Sequence, residues 1–145
     1  MKPIRVTAHI PAGPEEVWNE LERIEHHPRW MAEAVAVEFL GERRRGVGTR
    51  VSVATRIGPF RTTDEMEFTE WDRPRSIGVV HRGLFTGSGR FALEPLAEGT
   101  RLTWAETVRF PWFFGGPVGA FVARPILARI WKGNLRRLKE RLNAP

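Results

Sequence analysis

The chain has 145 residues, a net charge of +6 and no cysteine. That length suits one domain with a real core, 1–145. The missing thiols exclude a disulfide framework, a thiolate metal site and a cysteine nucleophile. The charge comes almost wholly from arginine. Outside Arg43–Arg45 and the C-terminal tail those arginines are scattered, so they read as solvated surface and no nucleic-acid partner is expected.

Residues Lys2 to Ile10 alternate, with Ile4, Val6, Ala8 and Ile10 on one side, which predicts a half-buried strand. The strand lacks the unbroken apolar run of a signal peptide, and a cytoplasmic location is the expectation. Pro14, Glu15 and Glu16 open a short helix, with proline early and acids in its first turn. A second short helix or turn spans His26 to Ala34. Alternating segments follow: Val35–Leu40, Gly48–Ile57, Phe60–Trp71 and Ile77–His81. Gly83–Gly89 reads as a glycine-punctuated connection, Phe91 and Leu93 belong to the next strand, and Thr100–Phe110 forms the last. Turns at this spacing with no intervening helix imply an antiparallel meander.

Gly115 to Leu142 then reads as one long helix, with Gly116 and Pro117 at its start. Phe121, Ala128, Trp131, Leu135, Leu138 and Leu142 share one stripe, with Arg124 in its middle. Val118, Val122, Ile126 and Ile130 form a second apolar strip on the opposite face of the front half. Pro125 cannot donate to the Phe121 carbonyl. Either the helix simply bends to fit a curved sheet, or that freed carbonyl faces an interior cavity.

The fold class is therefore α+β, a curved antiparallel sheet of about seven strands around a long C-terminal helix, with two short helices after the first strand. Ile10-Pro11-Ala12 with Pro14, Glu15, Val17 and Trp18 resembles the START-like helix-grip superfamily (SRPBCC), in its polyketide cyclase/dehydrase and lipid transport group. So do Pro28-Arg29-Trp30, Gly46 to Arg50, Glu70 to Arg75, and Leu93-Glu94-Pro95 with Gly99-Thr100-Arg101. The resemblance covers essentially the whole chain and implies a cavity between sheet and helix suited to an apolar small molecule.

Four ionisable residues ride with the apolar parity: Asp64, His81 and Glu106 on strands, and Arg124 on the helix. Buried charges are costly unless paired, so these should meet each other, a ligand or trapped water. In one reading Arg124 binds a carboxylate or enolate while His81 moves a proton with Asp64 or Glu106. In the other, Arg124 pairs with Glu106 or Asp64 as a purely structural bridge, or these groups reach solvent. Trp30, Phe60, Met66, Phe68, Val79 and Trp104 are candidate walls of a ligand site, with Phe121, Arg124, Pro125 and Ala128 supplied by the helix.

No metal or cofactor is expected. His26 and His27 diverge and have no third ligand at a recognisable spacing, and Gly83, Gly87 and Gly89 match no phosphate loop. The leading functional expectation is binding or carriage of a hydrophobic small molecule such as a lipid, polyketide or quinone. The alternatives are a cyclase or dehydratase and an interaction module. Phe110 to Ile126 is the candidate contact with a membrane or a second copy, unless the Phe110–Phe114 loop folds back as a buried lid.

Overall fold

Alternation of apolar and polar residues becomes seven strands: β1 (Ile4–Ile10), β2 (Ala34–Leu40), β3 (Arg50–Ile57), β4 (Phe60–Asp72), β5 (Ser76–Arg82), β6 (Thr86–Leu96) and β7 (Gly99–Arg109). In this computed structural model, which describes residues 2–143, they form one antiparallel sheet in the order β1-β7-β6-β5-β4-β3-β2. Met1, Ala144 and Pro145, at the ends of the expected domain, lie outside the described residues.

The first strand pairs with the last, Ile4 opposite Glu106 through Ile10 opposite Thr100. The chain must then cross from one edge of the sheet to the other to begin β2. It does so through α1 (Pro14–Leu21) and a 3-10 helix (Ile24–Arg29), as the two expected short helices. Val17, Trp18 and Leu21 of α1 and Ile24 of the 3-10 helix are fully or almost fully buried. Each such side chain contributes about 1.5–3 kcal/mol by leaving water, so the crossover plugs one end of the structure as well as connecting it.

Gly83–Gly89 differs from the expected connection, because β6 already begins at Thr86. Gly87 and Gly89 are strand residues, and the sheet needs them small. A Cβ on Gly87 would strike the Thr107 carbonyl, and one on Gly89 would fall 2.6 Å from Glu106 Oε1. Glycine inside a strand often marks such a close approach.

The long helix α2 (Gly116–Asn143) packs chiefly on β1 and β7. Its back half follows the expected stripe: Trp131, Leu135 and Leu138 are buried, and Trp131 stacks on Trp104 with ring centroids 5.1 Å apart. The front half is rotated from the expectation. Ala120 is buried and Ala123 and Leu127 half-buried, whereas Phe121 is 73% exposed. Small Ala120 and Ala123 let the helix approach the sheet where bulky Phe121 would hold it away. Because α2 lies chiefly over β1 and β7, among the described residues no helix packs closely on the part of the sheet made by β3 to β5. A cavity forms there. Among the described residues no helix is long and apolar enough to cross a membrane.

Candidate functional site

The cavity has a volume of about 410 Å³ and is bounded by the inner faces of β2 to β7, the 3-10 helix and α2. The inward parity of each strand supplies its walls. Val51, Val53, Thr55 and Ile57 come from β3; Phe60, Thr62, Asp64, Met66 and Phe68 from β4; Ile77, Val79 and His81 from β5. Trp104, Glu106 and Val108 continue the lining on β7, and Ala123, Ile126, Leu127 and Trp131 close it from the helix. Its far end is shut by four phenylalanines from three separate segments. Phe60, Phe85, Phe110 and Phe114 touch edge-to-face or tilted, with centroids 4.8–5.5 Å apart.

Three of the four expected ionisable residues meet in this cavity. Glu106 accepts a hydrogen bond from Trp104 Nε1 at 3.1 Å, which fixes one carboxylate oxygen. Its other oxygen lies 3.5 Å from His81 Nε2. That is long for a hydrogen bond, and Nε2 is buried with no hydrogen-bond partner. Burial pulls the imidazole down, but the Glu106 carboxylate, by contact and charge, and the Asp64 charge outweigh it, so the His81 pKa stands above its ordinary 6.5. Asp64 is itself held by the Leu84 N–H at 3.1 Å and the Thr62 hydroxyl at 3.3 Å. A Cβ on Gly83 would lie 2.6 Å from Asp64 Cγ, so Gly83, like Gly89, makes room for an inward carboxylate.

A further acid enters the site that sequence reasoning missed. Glu33, just before β2, lines the cavity and accepts a 2.6 Å hydrogen bond from Asn134 Nδ2. Burial raises its pKa, the Asn134 bond opposes that, and the Glu106 charge adds to the rise. Asn134 is fully buried, and its Oδ1 also accepts from the Ala32 N–H at 3.0 Å and from Arg137. Glu33 lies outside any alternating segment, so period carried no signal for it. A polar residue beside Leu135 on the core face of the helix was the available clue.

Arg124 does not reach this group. Its guanidinium donates to the Lys2 carbonyl at 2.6 Å and the Pro3 carbonyl at 3.2 Å, holding the chain just before β1. The helix side that carries Arg124 faces β1, while the cavity lies toward β3 to β5. Phe121 and Pro125 are exposed, so the carbonyl that Pro125 leaves free belongs to the outer side of α2. Ala128 packs on the core without lining the cavity. Trp30 is fully buried one layer behind the wall, against Phe91 and Trp104 at 5.9 and 6.4 Å. Phe60, Met66, Phe68, Val79, His81 and Trp104 do line it.

The resulting cavity is greasy along most of its length and acidic at one side. Arg90 is the one arginine or lysine at its wall among the described residues, and its exposed guanidinium is occupied by Glu70 at 2.9 Å. No group of three His, Asp or Glu side chains among the described residues is placed to hold a metal ion. The arrangement can shelter an apolar body and offers acceptors, plus the His81 ring, to whatever polar end it carries.

The Phe110–Phe114 loop is both lid and surface. Phe114 closes the cavity, yet is 39% exposed, and its neighbours Trp112 and Phe113 are 86% and 56% exposed. Val118, Phe121, Val122 and Ile126 extend this apolar surface along α2.

Solved structures share the architecture. A START superfamily protein from Mycobacterium smegmatis superposes with a TM-score of 0.82 at 16% identity, covering 98% of this chain and 97% of that one. The Zhui aromatase/cyclase from Streptomyces sp. R1128 gives 0.73 at 17% identity, covering 97% and 93%. At such identities the likeness is one of fold. A curated sequence, a polyribonucleotide 5'-hydroxyl-kinase of Thermococcus kodakarensis, is 29% identical over 124 residues, 77% of this chain. The chain spans only 34% of that relative's length. Residues 1–143 match the family model described as polyketide cyclase / dehydrase and lipid transport, and the chain belongs to that family.

Proposed function

We propose that this chain binds or carries a hydrophobic small molecule of lipid, polyketide or quinone-like character as a single domain, 1–145. The observation that carries the reading is the cavity itself. Its 410 Å³ falls in the range of about 300–1,000 Å³ usual for small-molecule sites, and its walls are chiefly aliphatic and aromatic. The polar side refines the ligand. With Glu33, Asp64 and Glu106 facing inward, Arg124 engaged elsewhere and Arg90 held by Glu70, a carboxylate head would enter against carboxylates, with the His81 ring as the available counter-charge among the described residues. A hydroxyl, quinol or amine head would find acceptors.

Mass spectrometry of material extracted from the gently purified protein tests this directly. A stoichiometric apolar compound bearing a neutral or basic head is the expected result. A protein that binds lauric acid more tightly than dodecanol would refute the assigned polarity, and a protein that takes up neither would refute the binding reading.

A second reading rests on His81. An imidazole whose Nε2 has no formed hydrogen bond, 3.5 Å from a carboxylate inside a cavity, is equipped to move a proton on a bound ketone or alcohol. Here the protein would be a cyclase or dehydratase, with Glu106 or Asp64 holding the charged ring. Turnover of a linear poly-β-ketone, lost in His81→Asn while probe binding persists, is the outcome this reading requires. The exposed face from Trp112 to Ile126 is the surface at which a membrane or second copy would meet either form.

A further inference from the structure

We propose that the phenylalanine-gated end of the cavity is a docking surface for an anionic lipid bilayer. Three separate observations converge on that end. The first is the apolar surface of Trp112, Phe113, Val118, Phe121 and Val122, each at least 56% exposed. It adjoins the gate through Phe114, so whatever covers the surface also covers that end of the cavity. Aromatic side chains of this kind partition into the headgroup and acyl boundary of a bilayer.

The second is the charge of the same segment. From Thr107 to Lys139 the chain carries seven basic residues and no acid. Arg109 precedes the exposed loop, and the outer face of α2 continues from Ile126 into the exposed Arg129, Lys132 and Arg136. An apolar strip bordered by cations matches an anionic leaflet. It matches a second copy of itself poorly, because a symmetric contact would bring like charges together.

The third lies on the neighbouring hairpin. Arg56 and Arg61 are directly opposed across β3 and β4, beside the turn that delivers Phe60 to the gate. Both are exposed, and neither forms an ion pair among the described residues. Directly opposed like charges destabilise a sheet. No acidic partner among the described residues compensates this pair, whereas phosphate groups at a bilayer surface would.

Docking thus sets the gate against lipid, where a hydrophobic ligand enters or leaves without crossing water. This last step rests on the cavity reading; the docking surface does not. Flotation with vesicles of phosphatidylcholine alone and of phosphatidylcholine with phosphatidylglycerol tests it. The wild type should float with the phosphatidylglycerol vesicles and lose that binding at high salt. Trp112→Ser/Phe113→Ser and Arg56→Ser/Arg61→Ser should each weaken binding at least about tenfold, since each arginine near an anionic surface is worth about a factor of five.

Uptake of N-phenyl-1-naphthylamine in vesicle-free solution, unchanged in both variants, shows that they fold and keep the cavity. Failure of flotation with normal probe uptake overturns docking and spares the cavity. Flotation without probe uptake does the reverse. Wild-type binding retained by both variants overturns the assignment. So does a dimer in sedimentation that Trp112→Ser/Phe113→Ser dissociates while vesicles are ignored, which gives the surface to a second copy.

Discussion

His27 should make the protein acid-sensitive well above the carboxylate range. The side chain is 8% exposed, packs edge-on to Trp30 at 5.3 Å, and has Nε2 2.8 Å from the Leu21 carbonyl, to which it donates. Burial pushes its pKa from 6.5 down to about 4, against the opposing pull of the Leu21 bond and the Glu20 and Glu25 charges. Below pH 6.5 the unfolded chain therefore takes up a proton that the folded chain refuses until near pH 4. Stability is complete above 6.5 and falls as the pH drops. The slope approaches about 1.4 kcal/mol per pH unit, and the whole effect amounts to roughly 3 kcal/mol.

Glu33 works in the opposite direction. Its raised pKa stabilises the fold at low pH and loses that contribution as pH rises, so a single stability curve mixes the two. His27→Gln, which keeps a donor for the Leu21 carbonyl, separates them because Glu33 is common to both proteins. Urea unfolding between pH 7.5 and 4.5 should show the wild type losing roughly 2–3 kcal/mol relative to His27→Gln, or about 5–10 °C in Tm. A difference that stays constant across that range would refute the reasoning, because it would mean that the ring titrates equally in the folded and unfolded chains.

Asn134→Leu should lower Tm by about 10 °C, because the buried Glu33 carboxylate, the Ala32 N–H and Arg137 all lose a partner, a loss of about 3–4 kcal/mol; a shift under about 2 °C would show that these groups find water instead. Arg124→Leu should cost about 1 kcal/mol through the released Lys2 and Pro3 carbonyls and leave naphthylamine affinity unchanged, and a large affinity loss would return Arg124 to the site. Gly89→Ala places a Cβ 2.6 Å from Glu106 Oε1 and should displace the carboxylate from His81. Since Glu106 helps hold the His81 pKa up, the variant's His81 pKa, followed by NMR titration, should fall; an unchanged value would mean that Asp64 alone supports the ring.

The sheet and the back of the helix were legible because each is governed by a period. Asp64, His81 and Glu106 could be placed in one interior from parity alone, since a strand that buries Met66, Val79 or Trp104 must also turn the residue two positions away inward. The front of α2 was misread because apolar residues occupy two faces there, and a period cannot say which faces the protein. The choice fell to Ala120, Ala123 and Leu127, whose size permits close packing, leaving Phe121 outside. Arg124 sat close to the right face but on its β1 side, a distinction that needs the position of the helix over the sheet. Gly87 and Gly89 suggested a loop because glycine usually marks one, whereas here the neighbouring strand takes the space of the missing side chains. The Phe110–Phe114 loop stood out in the sequence as a lid or a contact surface, but its gate partners Phe60 and Phe85 come from distant segments and had no local signature.

The central claim is that the interior between β3, β4, β5 and α2 takes an apolar ligand, and cavity filling tests it most directly. Val79 lines the cavity from the middle of the sheet and is only half-buried, so Val79→Trp should extend into empty volume without displacing the core. Titration with N-phenyl-1-naphthylamine should give one saturable site on the wild type, displaced by dodecanol more readily than by laurate, and no binding to Val79→Trp at an unchanged Tm. Equal binding by the two proteins would place the ligand elsewhere and contradict the account.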